Sequence, residues 1–151
     1  MFCFLFFSLF IVNSIQSQED LIKKALELQS KYVVKSSKYV VLIDYSKSIF
    51  SKRLFVVDVK GKKIILTSTV SHAFNSGLQY ATKFSNKEGS LMSCMGAFET
   101  KSTYYGKFGY SLILKGLDKD INSNAEQRKI IFHSSKKMKT KWSWGCFATP
   151  E

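Results

Sequence analysis

A mainly β fold is what this sequence predicts, and three observations carry the prediction. Thirteen Phe and seven Tyr accompany short Val/Ile/Leu runs, and branched and aromatic side chains pack well on a pleated surface. Those runs are short and separated by glycine-bearing or polar stretches, as strands are. Helical spacing of apolar residues is confined to brief segments, so the helix share should be small.

The elements follow in order. Residues 17–32, SQEDLIKKALELQSKY, place Ser17 three before Asp20 as a capping box and space Leu21, Ala25, Leu26 and Leu28 along one side of a short helix. KYVVLIDY (38–45) and RLFVVDV (53–59) read as strands, and KKIILTSTV (62–70) as a third after a Lys60-Gly61 hairpin turn. Residues 71–105 are rich in Ser, Thr, Asn and Gly with interspersed aromatics, which predicts loops and short strands bordering a cleft, or an irregular surface region. GYSLILKG (109–116) returns to a strand. INSNAEQR (121–128) offers Ser123 and Glu126 as a second capping box on about two helical turns. KIIFH (129–133) is then a short buried strand delivering a histidine near its end.

A length of 151 residues with 45% hydrophobic and 23% charged types describes one globular domain with a single core. Residues 1–12, MFCFLFFSLFIV, are apolar and uncharged. At about 1.5 Å of rise per residue such a run is too short to span a bilayer. A cleaved export signal over residues 1–17 is therefore expected rather than a stable transmembrane anchor, although no Lys or Arg precedes the run. The competing reading is a buried N-terminal element. Residues 18–37 are expected to form the helix and lead-in, and 38–151 the main folded domain. Cys3 falls in the leader, leaving Cys94 and Cys146, a count that favours at least one free thiol in an exported chain.

The net charge of +12 implies attraction to an anionic partner. Nucleic acid is set aside because the chain reads as exported and no recognisable nucleic-acid module is present, which leaves lipid headgroups or anionic envelope polymers. The KKMKTK loop (136–141) is read as a solvated face that can also steer such a polymer. Neither a P-loop nor a dinucleotide fingerprint occurs, so no cofactor is expected. His72, His133, Cys94 and Cys146 lack the paired spacing of a zinc set, and no metal is expected.

The informative stretch is IIFHSSKKMKTKWSWGCFATP, residues 130–150. Thiolate chemistry asks for an imidazole that can take the thiol proton and later protonate a leaving amine. His133 and Cys146 supply those groups. Gly145 lets the backbone turn sharply, so that N–H groups beside the nucleophile can face a developing oxyanion.

In these letters the chain resembles the catalytic domain of the murein L,D-transpeptidases, in the branch whose nucleophile motif reads S-W-G-C. The matching pieces are IIFH at 130–133, SWGC at 143–146, SHAFNSG at 71–77, YATKFSNKEGS at 80–90 and TYYGKFGYSL at 103–112, in the family's order across nearly all of 38–150. The resemblance implies an L,D-transpeptidase-like β-sandwich catalytic domain with short helices that binds peptidoglycan peptide stems. It implies Cys146 as nucleophile and His133 as base. Ser143 would orient the imidazole, and the Gly145 and Cys146 N–H groups would line the oxyanion hole. His72, Asn75 and Ser76 would shape the donor side of the cleft, Tyr104 and Tyr105 would cover it, and Trp144 would contact substrate from within the nucleophile motif.

The chain departs from the family's usual letters at Ser134, where Gly is usual, at Phe147, where Pro often follows the cysteine, and at Phe108, where a second histidine is common. It also ends five residues after Cys146, where relatives continue through a further helix and strand. A fold truncated at the C-terminus, with a sheet edge or core face left open, is the expectation. Three functions fit: an L,D-transpeptidase, an L,D-carboxypeptidase resolving the same acyl-enzyme with water, or a catalytically silent envelope-binding domain.

Overall fold

The structure, a computed structural model, describes residues 5–10, 17–32, 37–135 and 142–151, the first of these as a backbone path only. The basic loop 136–141 and the rest of the leader lie outside the described residues.

The helix expected at 17–32 is α1 (Gln18–Lys31). Ser17 Oγ accepts from the Asp20 backbone N–H at 3.1 Å and donates to the Asp20 carboxylate at 2.9 Å. This satisfies one of the N–H groups that a helix start leaves open. Leu21, Ala25 and Leu28 are its buried face.

Among the described residues, ten strands follow the mainly β expectation: β1 (Leu5–Phe10), β2 (Tyr39–Asp44), β3 (Leu54–Asp58), β4 (Lys63–Ser68), β5 (His72–Ala73), β6 (Gly96–Gly106), β7 (Gly109–Gly116), β8 (Ile131–Ser134), β9 (Trp142–Ser143) and β10 (Phe147–Thr149). Eight form one sheet in the order β10-β8-β7-β6-β1-β2-β3-β4, and β5 pairs with β9 in a second, two-stranded sheet. The run YVVLID of β2 does not alternate because both of its faces are covered. Val40 and Leu42 pack with Phe55 and Val57 beneath α1, whereas Val41 and Ile43 join Leu54, Phe98, Leu114, Ile130 and Phe147 in the larger core on the other side.

Two expectations need correction. Residues 96–105 belong to β6, the longest strand, and not to loops. Its outer half is exposed, and its register shifts between Thr100 and Thr103, which erases the period-two pattern. Residues 121–128 form successive turns and no helix. There the Asn122 side chain donates to Met95 O at 2.9 Å and Ala97 O at 2.8 Å and accepts from Asp118 N, while Ser123 Oγ accepts from Asn86. Side chains engaged with neighbouring segments are not available to organise a helix start.

β1 runs parallel to β2, with Phe7 opposite Val41, and antiparallel to β6, with Phe7 opposite Phe98. It thus joins the two halves of the large sheet. A cavity of about 630 Å³ opens between Tyr39, Val56, Leu112, Phe132 and Pro150. Among the described residues, no helix is long and apolar enough to cross a membrane.

Because β1 hydrogen-bonds on both sides, removing residues 1–17 should lower the melting temperature and raise dye binding by exposed strand edges. Thermal melts of residues 1–151 and 18–151 test this. Equal melting temperatures would show that β1 contributes nothing to the folded sheet.

Candidate active site

Parallel pairing of β10 with β8 sets Phe147 opposite Phe132 and Ala148 opposite His133. Cys146, one residue before β10, therefore lies two positions along from the partner of His133. At strand spacings of about 4.8 Å sideways and 3.3 Å per residue, the two backbones are about 8 Å apart. The same row continues from His133 to Ser111 on β7 and to Tyr104 on β6.

Cys146 is a free, partly accessible thiol whose Sγ–H points at Lys129 O, 3.7 Å away. Burial pushes its pKa up, opposed by a backbone hydrogen bond at Ile131 and by the positive charge of Arg128. His133 is buried, with Nδ1 3.0 Å from Ser134 O and its ring stacked on Phe108 at 4.5 Å between centroids. A carbonyl can only accept, so Nδ1 carries the proton and Nε2 is left as the basic nitrogen. No hydrogen bond joins thiol and imidazole in this structure. Phe108, at the tip of the β6–β7 hairpin, holds the His133 ring by its face.

The Cys146 turn is closed by its own residues. Ser143 Oγ donates to Cys146 O at 2.7 Å and accepts from Gly145 N at 3.2 Å. The Ser143 hydroxyl therefore serves the turn, while Ser134 O orients His133. Gly145 has φ +130°, and a Cβ there would lie 2.7 Å from Ile130 Cδ1 and 3.3 Å from Met92 O. Only glycine meets both the conformation and the space.

From behind, Ser71 holds the turn in register. Its Oγ donates to Cys146 O at 3.2 Å and accepts from Ala148 N at 2.9 Å, and its own N–H reaches Ala148 O at 2.8 Å. Ser71 is placed by Tyr45, whose hydroxyl donates to Ser71 O at 2.9 Å and whose pKa burial pushes up to about 12. Beneath both lies Arg53, fully buried. It donates twice to Val70 O, at 3.0 and 2.7 Å, and once to Lys47 O at 3.2 Å, and its guanidinium carbon stands 4.6 Å from the Tyr45 ring centroid. Buried Asp44 supplies opposing charge nearby.

Arg53 Nη2 also lies 3.0 Å from His72 Nδ1, and His72 Nε2 lies 2.9 Å from Gly77 O. The guanidinium can only donate, so Nδ1 accepts and Nε2 carries the single proton. His72 is neutral, its pKa lowered first by burial. His72 and Ser76 have no accessible surface; they brace the 74–78 loop, whose Leu78 O accepts from Trp142 Nε1 at 2.8 Å. Ser76 Oγ accepts from Ser93 N at 2.9 Å. Asn75 is exposed and donates to Ser90 O at 3.1 Å. Tyr104 and Tyr105 stand on the exposed β6–β7 hairpin, and Trp144 is 79% exposed beside Cys146.

Arg53, Tyr45, Ser71 and Arg128 were not singled out by sequence reasoning. One signal was present: the chain has 23 basic residues, and Arg53 and Arg128 are its only arginines. A guanidinium can serve several carbonyls in fixed directions where an ammonium cannot, and both arginines do so. Among the described residues, no group of three or more His, Cys, Asp or Glu is arranged to hold a metal ion.

Two outcomes follow. Gly145→Ala should cost about 1–3 kcal/mol in chemical denaturation and displace the Cys146 turn. His72 has a depressed folded pKa, so acid favours the unfolded chain. Stability supplied by neutral His72 is present above about pH 6.5 and is lost as pH falls from there toward the lower folded value. His72→Asn should flatten that part of the stability profile, and an unchanged slope would refute the assignment.

Residues 13–151 match the model of a family described as the L,D-transpeptidase catalytic domain. No curated protein and no solved structure matches the chain. The family match spans all but residues 1–12 and therefore takes in β2 to β10, the Cys146 turn and its supports; the chain belongs to the L,D-transpeptidase catalytic-domain family.

Proposed function

We propose that the chain is a peptidoglycan L,D-transpeptidase that works through a thioester on Cys146. The single observation that supports this most is a partly accessible thiol on a glycine-dependent turn, two residues along the paired strand from a histidine whose Nε2 is free to accept a proton. His133 Nε2 removes the thiol proton as sulfur attacks the carbonyl of the L-centre of diaminopimelate in a donor tetrapeptide stem. The tetrahedral oxyanion faces the Cys146 N–H, joined by the Gly145 N–H once that group turns from Ser143 Oγ. The imidazolium then protonates the leaving amine, and D-alanine departs. An acceptor stem's side-chain amine attacks the thioester, giving a 3→3 cross-link and restoring the thiol.

Bringing Sγ and Nε2 together requires a side-chain movement, which is compatible with unliganded sites, where catalytic hydrogen bonds are often long. Tyr104, Tyr105 and Trp144 offer exposed rings to the substrate, and Asn75 an exposed amide. His72 and Ser76 act on the donor side through the loop they brace. The charge of +12 favours approach to anionic envelope polymers.

Cell-envelope action accords with the family's peptidoglycan substrate. The apolar run 1–12 supports export, whereas the pairing of β1 inside the sheet favours its retention. Mass determination of the N-terminus of the exported protein decides between a chain starting near residue 18 and one that keeps β1.

Incubated with disaccharide-tetrapeptide, the folded protein should gain a Cys146 adduct and release D-alanine. Cys146→Ala should abolish both, and His133→Ala should slow them by about 10²–10⁴-fold. Cys94→Ser should retain most activity, since Cys94 is fully buried and serine keeps an acceptor there. Because burial raises the Cys146 pKa, the thiol is protonated at neutral pH and the rate should climb as pH rises above neutrality. Mass spectrometry reads the products: a cross-linked dimer establishes the transpeptidase and tripeptide without dimer the carboxypeptidase. Absence of any adduct on folded protein establishes the silent domain and refutes both enzyme readings.

A further inference from the structure

Arg128 lies outside the motifs that define the site, yet it makes more side-chain hydrogen bonds near the nucleophile than any residue of the motif itself. Nη1 donates to Ser85 O at 2.5 Å and to Cys94 Sγ at 2.7 Å; Nη2 donates to Met92 O at 2.6 Å and to Ser90 Oγ at 3.3 Å. All four acceptors belong to the 85–94 loop, which passes behind the nucleophile turn. A Cβ on Gly145 would stand 3.3 Å from Met92 O and 3.7 Å from Arg128 Nη2. The guanidinium is thus wedged between that loop and the residue preceding Cys146.

We propose that Arg128 is a positioning residue for the acyl transfer, fixing the 85–94 loop against the nucleophile turn and holding a permanent positive charge that favours the Cys146 thiolate. The inference rests on the transpeptidase reading for its chemical purpose but not for its test. A cation beside a cysteine stabilises the thiolate that attacks, and here it opposes the effect of burial. Titratable and charged groups face Cys146 from each neighbouring segment. Tyr45 follows β2 and stays neutral, its pKa raised to about 12. Cys94 is a buried thiol whose own pKa burial raises. His133 stands on β8, and Arg128 is the fixed cation of the set. Lysine would keep the charge but could not meet four acceptors in the directions a planar fork does.

The test follows alkylation of Cys146 by iodoacetamide across pH in the full chain, with the modified peptide resolved by mass spectrometry so that Cys3 and Cys94 do not contribute. Arg128→Met should move the midpoint upward by about one unit and slow alkylation at neutral pH about tenfold, because the thiolate fraction changes tenfold per unit below the pKa. Arg128→Lys should keep the midpoint near that of the parent while loosening the 85–94 loop, read as faster amide exchange at residues 85–94. An unmoved midpoint in folded Arg128→Met would overturn the proposal. Should that variant not fold, Arg128→Lys decides: a midpoint raised by a full unit despite the retained charge overturns it as well. Iodoacetamide needs no peptidoglycan, so a protein that shows the midpoint shift yet never releases D-alanine separates failure of the transpeptidase reading from failure of this one.

Discussion

Burying a guanidinium without solvent is tolerable only when its N–H groups and its charge are met, and the candidate site is organised around meeting those demands for Arg53. Carbonyls of Val70 and Lys47 accept from it, His72 accepts in its neutral form, and Tyr45 covers its face. In doing so Arg53 fixes the stretch from Val70 to His72, and Ser71 within that stretch holds Cys146 O and the first turn of backbone in β10. Replacing this arrangement piecemeal would leave a buried donor or acceptor unmatched at each step. Its geometry is consequently stiff, which suits a turn that must present a thiol in one place.

A second guanidinium acts through the 85–94 loop. Arg128 gathers Ser85, Ser90, Met92 and Cys94, so that the Cys146 turn meets two segments, each pinned by an arginine. Gly145 lies at the closest approach, with room for no side chain. The two cations differ in consequence. Arg53 adds to the burial that keeps His72 neutral and fixes the placement of Ser71, whereas Arg128 bears on the ionisation of Cys146.

His133 and Cys146 are brought to the same region by strand register and not by direct contact. Pairing of β10 with β8 fixes their separation at the backbone, and Phe108 and Ser134 set the imidazole. The hairpin that carries Phe108 also carries Tyr104 and Tyr105, so histidine orientation and the exposed aromatic surface belong to one element. A substrate that moved this hairpin would change the freedom of His133 at the same time.

Much was legible in the sequence because it depends on local rules. The Ser17 cap, the four strand runs at 38–45, 53–59, 62–70 and 109–116, and the turn at Gly145 are each dictated by a few neighbouring residues, and the five motif stretches taken together pointed to the family. What only tertiary structure decided involves partners distant in the chain. Phe98 packs on Phe147, Ser71 bonds Cys146, Arg128 bonds Cys94, and Leu5–Phe10 pairs with both β2 and β6. No periodicity records such pairings. The same holds for β6, whose bulge and exposed half hide its alternation, and for 121–128, where Asn122 bonds across to Met95 and Ala97 and so outweighs a local helix signal. Burial of His72 was equally out of reach, because a histidine in a polar loop reads as exposed until Arg53, nineteen residues away, is seen to need an acceptor.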